Sequence, residues 1–422
     1  MIEGDLSRRK ESLWIVAIYL AFLMAHVALS SQRATHWTFP NSTDEIQHLS
    51  LAYHLKENPA FFLKYEDLGL LAAPEYKKWG GEGNYLVHPS LYYHLIGLLL
   101  PAGETERPAY LKVRLANVVL SSLALLAIFW AGGRYLGDPR QHLILAAVVA
   151  LCPMIGGLGG QINNDNLALL GGALVFVGLA GLVRRGASLP AAAAMALGFA
   201  LGCWAKLIAG VLLGAWILLV HVFVPMRRGR EKKPGAVYWS ILGVALIIGA
   251  LPYAHNLFAY GSPLFDTTHF YVDENAPRMT GLVDYMGWFF YALAASWVTN
   301  QPADALQMAT LVLVLVLSVA GAWKGMTGTL REEDTAIAIL AAGAVGAVLL
   351  VIPIHLAYAY LWSMDTGILG GPIFRYYLPI WPGLAAGAAV GGAALASQSM
   401  QRILPASLIL LLAYSAIFAP AL

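Results

Sequence analysis

Residues 13–29 read LWIVAIYLAFLMAHVAL, an apolar run that contains one histidine and no formally charged side chain. A run of this length and composition is typical of a helix that crosses the hydrocarbon core of a bilayer. Arg8, Arg9 and Lys10 precede it, and no clear small-residue cleavage site follows. We therefore predict an uncleaved first span with the N-terminus in the cytoplasm.

The same apolar pattern recurs along the chain. The 422 residues are 59% hydrophobic and 12% charged, whereas a soluble domain has about 25% charged residues. The predicted class is an all-α polytopic membrane protein, one transmembrane domain over residues 1–422 with about eleven helices. Near Lys206 the pattern fits two short spans or a broken, re-entrant pair. The predicted spans are 13–32, 113–132, 142–160, 166–183, 189–206, 208–225, 237–255, 306–323, 335–353, 376–395 and 403–420.

Charge excludes some functions and orients the bundle. A net charge of +2 gives no support to a nucleic-acid partner. Cys152 and Cys203 lie in apolar segments and are interpreted as packing residues.

Short basic loops, above all MRRGREKK at 226–233, are predicted to be cytoplasmic. Segments 33–111, 256–304 and 354–375 then meet on the outer face, and the first is predicted to carry amphipathic helices. The polar residues on that face indicate either a functional site or the ordinary solvated residues of long loops.

The segment 41–54, NSTDEIQHLSLAYH, places two acids and two histidines after the first span. On a helix, Asp44 and His48 share a face, whereas Asp44 and Glu45 cannot point the same way. One acid is predicted to face a reaction and the other to support the loop. The alternative is two acids that favour a helix N-terminus. The order does not match a zinc-protease motif.

Six further motifs follow in a fixed order along the chain. They are LVHPSLYYH (86–94), the arginine-led RLANVVL (114–120), GQINNDN (160–166), WAKL (204–207), HNLFAYGSP (255–263) and FRYYLP (374–379). Lys206 and Arg375 are single charges in otherwise apolar stretches, which favours a functional role, with interfacial snorkelling as the alternative. Asp165 fits either a pocket or a helix N-cap.

In this order, from about residue 40 to 380, the motifs resemble those of the GT-C superfamily of lipid-dependent membrane glycosyltransferases. The protein O-mannosyltransferase-like and aminoarabinose transferase-like branches are most similar, with uncharacterised bacterial relatives. The resemblance implies a polyprenyl-phosphate sugar donor, an extracytoplasmic acceptor and a periplasmic site at the bacterial inner membrane. Several members carry a soluble domain after the last span, whereas here Leu422 follows an apolar helix, so none is expected.

The resemblance also implies residue roles. Asp44 is the expected general base, with Glu45 second, because an attacking hydroxyl or amine must lose a proton. Whether the site also needs a divalent ion, Mg or Mn, is left open, and its ligands would be Asp44, Asp165 and His48. The remaining expected site residues are Lys206, Arg375, Tyr376, His255 and Asn256 for the donor phosphate and lipid, and His48, His88, Tyr92, Tyr93, Asn164 and Asp165 for the acceptor or the pocket.

Three other functions compete with transfer. A transporter or flippase of a lipid-linked saccharide would be expected to show inverted repeats and charges at mid-span. No convincing repeat is seen, and the charges gather at the span ends. A glycan ligase or polymerase would use arginine-rich outer loops, but the predicted outer arginines are few. A non-catalytic lipid-binding protein would not require the Asp44–Glu45 pair.

Overall fold

The computed structural model describes residues 2–41, 43–73, 75–76, 78–101, 109–228, 234–264, 281–298, 303–328, 330, 332–369, 372–395 and 400–418. Helices dominate these ranges, with two short strands and two 3₁₀ helices, Tyr65–Asp67 and Phe374–Ile380. Strands β1 (Gly69–Leu71) and β2 (Trp79–Gly83) pair antiparallel. The helices are α1 (Ile2–His36), α2 (Thr43–Glu57), α3 (Leu91–Gly97), α4 (Tyr110–Tyr135), α5 (Pro139–Ala150), α6 (Pro153–Gly159), α7 (Asp165–Arg185), α8 (Leu189–Ala205), α9 (Leu207–Arg228), α10 (Ala236–Tyr260), α11 (Leu282–Ala295), α12 (Ala305–Thr327), α13 (Glu332–Thr366), α14 (Trp381–Leu395) and α15 (Met400–Ile417).

Many of these helices are long and apolar enough to cross a bilayer. Within the described ranges, seven pass by length and composition: α1, α4, α7, α9, α10, α12 and α13. The count becomes eight if the bent pair α5 and α6 is one span, while α8, α11 and α15 are shorter apolar helices. The protein is therefore an integral, multi-pass membrane protein. The figure of about eleven spans stays a prediction.

Breaks in the helices fall inside two predicted spans and between two others. The predicted span 142–160 is split into α5 and α6, which are bent by 50°, because Pro153 begins α6 and has no backbone N–H to continue α5. At Lys206 the backbone is extended (φ −165°, ψ 140°), which separates α8 from α9. The predicted span 376–395 starts as the 3₁₀ helix Phe374–Ile380 and becomes α-helical at Trp381. Hydropathy does not register such breaks, since the sequence on both sides is apolar.

The bundle core brings helix backbones together at glycines. A side chain at Gly172 of α7 would overlap the backbone carbonyl of Pro379, in the 3₁₀ helix Phe374–Ile380. Gly171 of α7 and Gly198 of α8 approach each other in the same way. Small residues at helix contacts are the usual means of close packing in membranes. The position of the segment 374–380 is therefore fixed by α7.

Gly172→Ala is expected to destabilise the protein, because its methyl group must displace backbone atoms of Pro379. Overpacking of this kind costs about 1–3 kcal/mol. Thermal unfolding of the detergent-solubilised protein measures the loss. Gly243→Ala is the matched control, since a Cβ on Gly243 in α10 meets nothing within 4 Å. Equal melting temperatures for the two variants would contradict the packing argument.

The segment between α1 and α4 folds over one end of the bundle. Its α2, α3 and hairpin form a second hydrophobic cluster, separate from the main core of the bundle. Bundle residues, including Ile162, Leu167 and Ala205, belong to this second cluster. The first loop is therefore packed onto the bundle, and it holds the N-terminus of α2 against the start of α7 and the α8–α9 break.

Candidate functional site

Asp44 and Arg375 form an ion pair between the first loop and the segment that precedes α14. Arg375 Nη2 donates to Asp44 Oδ2, and the hydroxyl of Tyr85 donates to Asp44 Oδ1 over 2.6 Å. The Asp44 side chain keeps 16% exposure and that of Arg375 keeps 9%. Two residues that lie 331 positions apart are thus paired at a site that solvent still reaches.

A second ion pair adjoins the first. Lys206 Nζ donates to Asp165 Oδ1 over 2.8 Å, and Arg375 Nε lies 3.3 Å from Asp165 Oδ2. The ammonium of Lys206 also lies 4.5 Å from the ring centre of Tyr376. Two carboxylates and two cations therefore alternate as Asp44, Arg375, Asp165 and Lys206. The break between α8 and α9 places Lys206 here, and Asn164 supports that break by donating to the carbonyl of Ala205 over 2.7 Å.

The pKa of the Asp44 carboxyl reflects a competition. Burial alone would raise the pKa, but the positive charge of Arg375 outweighs it, with help from His48 and the Tyr85 hydrogen bond. The net result is a pKa below the usual range of an aspartate. Asp44 is consequently ionised at neutral pH. Its charge is balanced by a guanidinium that a stronger anion could attract.

Glu45 points away from Asp44 into a buried pair with Arg114 of α4. Arg114 Nε and Nη2 donate to the two Glu45 oxygens over 2.8 and 2.7 Å. Glu45 also accepts from the backbone N–H groups of Ile162 and Asn41 over 3.0 and 2.8 Å. Both side chains have 0% exposure. With two partners on each oxygen and no access to solvent, Glu45 supports the loop.

Arg114 also fixes the end of the first span. Its Nη1 donates to the carbonyls of Ala34 and Trp37, and its Nη2 donates to the carbonyl of Thr38. The guanidinium thus ties the C-terminal end of α1 and the residues after it to Glu45. From the sequence, Arg114 was noted as the first residue of the motif RLANVVL but was assigned no role at the site. One arginine in the otherwise apolar span 113–132 is itself a signal of such a role.

Two histidines lie next to the Asp44 side of the ion-pair cluster. The rings of His48 and His88 are nearly parallel, with centres 6.1 Å apart, and His48 Nδ1 lies 2.9 Å from the Tyr93 hydroxyl. Burial lowers the pKa of His48, Asp44 opposes this shift, and the positive charges of Lys206 and Arg375 add to it, with a net pKa of about 3. Burial and Lys206 likewise place the pKa of His88 well below its usual value. Both imidazoles are neutral at pH 7.

Tyr92 lies in a different polar network. Its hydroxyl donates to Asn117 Oδ1 over 2.9 Å, and Asn166 Nδ2 donates to the same oxygen over 2.9 Å. Tyr92, Asn117 and Asn166 are all buried. This network joins α3, α4 and α7 beneath the site. Asn117 and Asn166 were given no role by the sequence analysis, since neither an apolar run nor the motif GQINNDN reveals which side chain an asparagine contacts.

His255 and Asn256, predicted to hold the donor, lie where the first loop docks on the C-terminal end of α10. The ring of Phe62 stacks on His255 with centres 4.5 Å apart. Asn256 Nδ2 lies 3.4 Å from the Tyr65 hydroxyl and donates to the carbonyl of Pro263 over 3.2 Å. The contacts described for these two residues are with this docked segment and the turn after α10.

The residues named for a metal do not form a metal-binding group. Among the described residues, no set of three or more His, Cys, Asp or Glu side chains is placed to hold an ion. Asp44 and Asp165 face Arg375 and Lys206, whose positive charges take the place that a cation would need. A divalent ion therefore does not fit this arrangement, and no step below is routed through one.

Comparisons with known proteins agree with this architecture. No family model matches the sequence, and no curated protein matches it. Among solved structures, ArnT from Cupriavidus metallidurans in the apo state matches with a TM-score of 0.51 and 14% identity, over 93% of this chain and 62% of ArnT. ArnT bound to undecaprenyl phosphate matches with the same TM-score and identity, over 92% of this chain and 62% of ArnT. The chain therefore spans about three fifths of the length of the ArnT structures. The GT-C-like fold expected from the order of the motifs is confirmed.

Proposed function

We propose that this protein is a glycosyltransferase that moves a sugar from a polyprenyl-phosphate donor to an acceptor on the outer face of a bacterial inner membrane. The observation that carries the proposal is the alternation of Asp44, Arg375, Asp165 and Lys206 at one end of an apolar bundle. The cluster offers a carboxylate base beside two cations. Transfer from a lipid phosphate needs both.

An apolar groove that adjoins the segment of Arg375 is available for the lipid carrier. A cavity of about 320 Å³ lies between α11, α12, α13 and α14. Phe374 and Tyr377 line it, and they flank Arg375 and Tyr376 in the sequence. A polyprenyl chain in this groove would bring its phosphate to Arg375. That ArnT has been solved with undecaprenyl phosphate supports a polyprenyl carrier here.

Donor binding would exchange the partners of Arg375. A guanidinium binds a phosphate through two parallel hydrogen bonds, which are stronger than those between neutral groups. When the phosphate binds Arg375, Asp44 loses its main counter-charge, and the pKa of the Asp44 carboxyl rises toward the usual value. Asp44 then becomes a better proton acceptor at the moment when the donor is in place.

The transfer step balances as a single displacement. The acceptor oxygen or nitrogen forms a bond to the anomeric carbon, and the bond from that carbon to the phosphate oxygen breaks. Asp44 receives the acceptor proton. The electron pair leaves on the polyprenyl phosphate, whose charge Arg375 and Lys206 stabilise. The neutral His48 and His88 are placed to orient sugar or acceptor hydroxyls.

The test uses purified protein in liposomes with a panel of polyprenyl-phosphate sugars and a panel of hydroxyl and amine acceptors. Mass spectrometry follows loss of the donor and gain of the glycosylated acceptor. Consumption of one donor with release of polyprenyl phosphate supports the proposal. Movement of intact lipid-linked sugar across the bilayer without cleavage would instead favour a flippase, and acceptance of only pyrophosphate-linked glycans would favour a ligase or polymerase.

Arg375→Gln is expected to weaken binding of the donor by about tenfold or more, because hydrogen bonds to charged groups contribute about 1.5–3 kcal/mol. Arg375→Lys should recover part of the affinity, since it restores the charge without the bidentate fork. Fluorescence titration with polyprenyl phosphate measures both. Arg185→Gln, an exposed arginine at the other end of α7, is the control. Unchanged affinity in Arg375→Gln would remove Arg375 from the donor site.

A further inference from the structure

A second groove lies between α1 and α4, on the surface that faces lipid. Its volume is about 390 Å³. Trp130 and Leu20 are 52% and 51% exposed, so the groove opens outward. The rings of Tyr19 and Phe129 stack with centres 4.7 Å apart and form its floor. The lining residues are Ser12, Ile15, Val16, Tyr19, Leu20, Leu23, Leu126, Phe129, Trp130 and Gly133.

One end of this groove is cationic. The guanidinium of Arg134 lies over the Trp130 ring, 5.4 Å from its centre. Arg134 is exposed, and none of the carboxylates whose side chains the structure describes pairs with it. Asp138, four residues on, accepts instead from the backbone N–H of Arg140. Arg134 therefore presents a positive charge beside an apolar channel.

We propose that the α1–α4 groove binds an anionic phospholipid, with an acyl chain on the Tyr19–Phe129 floor and the phosphate at Arg134. The headgroup is anionic because a zwitterionic lipid would bring its own cation close to the positive charge of Arg134. Ser12 and Ala34 are 22 residues apart on α1, which is about 33 Å of helix. Ala34 lies at the other end, where Arg114 binds it. The phospholipid is therefore distinct from any lipid at the Asp44–Arg375 site.

A third groove, lined by residues of α8, α9 and α10 and called here the α8–α10 groove, provides a comparison within the same protein. Its volume is about 330 Å³, and it is lined by residues such as Phe199, Leu218 and Trp239, with no arginine among its lining residues. It is equally open to lipid chains, and its lining contains no arginine or lysine. A variant that fills it therefore tests whether any apolar groove of this size accounts for lipid binding.

The experiment titrates the full-length protein in detergent with phosphatidylglycerol or phosphatidylcholine and counts bound lipid by native mass spectrometry. Phosphatidylglycerol is expected to bind more tightly. Arg134→Gln should weaken that binding about fivefold. Gly133→Leu should abolish lipid binding, because the leucine side chain fills the groove. The backbone should tolerate this change, since a Cβ on Gly133 makes only ordinary contact with Tyr19, at 3.5 Å.

Two matched variants serve as controls. Arg185→Gln removes another exposed arginine, one that lies over the Tyr135 ring. Gly243→Leu fills the α8–α10 groove instead. Both should keep the preference for phosphatidylglycerol. Equal binding of the two lipids, or equal losses in all four variants, would overturn the proposal, and a thermal melt identifies any variant that fails to fold.

Discussion

Asp44→Asn is expected to lower sugar transfer by a factor of about 10²–10⁴, the usual contribution of a general base. Asparagine has nearly the same shape and can still accept from the Tyr85 hydroxyl, but its amide cannot take up the acceptor proton. Binding of the donor should persist or tighten, since Arg375 is no longer shared with a carboxylate. Single-turnover transfer and donor titration together measure this separation.

Tyr85→Phe is the control for the Asp44 substitution. It removes the 2.6 Å hydrogen bond to Asp44 Oδ1 while leaving the carboxylate in place. A loss of a few fold is expected. If Asp44→Asn transfers sugar at the rate of Tyr85→Phe, another group is the base, and the neutral His48 and His88 are then the next candidates.

The pH profile of transfer offers an independent check on Asp44. Its pKa is lowered, so the carboxylate is already ionised at a pH near its ordinary value of about 3.9. The free enzyme should therefore show no acidic limb from Asp44 between about pH 5 and 8. In Arg375→Gln the principal opposite charge is gone, and the limb should move to higher pH.

Glu45→Gln is expected to cost about 3–5 kcal/mol of folding free energy, because it leaves the Arg114 charge buried without its partner. Both side chains have 0% exposure. Arg114→Met should be similarly harmful, since it strands the carboxylate and three backbone carbonyls. Thermal unfolding of each variant and of the double variant completes a double-mutant cycle.

The cycle distinguishes support from catalysis. If Glu45 and Arg114 act as one buried pair, the double variant should be clearly more stable than the sum of the single losses predicts. Transfer should fall together with stability in Glu45→Gln, whereas Asp44→Asn should lose transfer alone. A Glu45→Gln protein that melts like the wild type but does not transfer would assign Glu45 to the chemistry.

Much of the architecture is readable from the sequence, since apolar runs of about 20 residues predict spans whatever their neighbours are. Asp44 and Arg375 were also visible, as charges at the edges of such runs. Their pairing across 331 residues was not, because a hydropathy pattern contains no distances. The interruptions at Pro153 and Lys206 were missed or left open for a related reason: a break in the backbone does not change composition.

The position of Glu45 shows a second limit of prediction from the sequence. Helical spacing predicted that Asp44 and Glu45 point in different directions, and they do. It could not assign the two directions, since that required knowing that Arg114 of α4 lies on one side. A role for His255 and Asn256 at the donor phosphate stays a prediction, and the sequence did not show that they contact the docked segment around Phe62 and Tyr65. Spacing identifies a face, and only tertiary packing identifies the neighbour.

The second hydrophobic cluster constrains the order in which the protein is made. Residues 43–100 leave the ribosome long before α7 and α9, yet Ile162, Leu167, Ala168, Ala205 and Ala209 complete their core. The loop must wait, with apolar side chains uncovered, until those helices have been inserted. Chain elongation runs at about 5–20 residues per second, so this interval lasts several seconds. A membrane chaperone that shields the loop during that time would have a defined client segment.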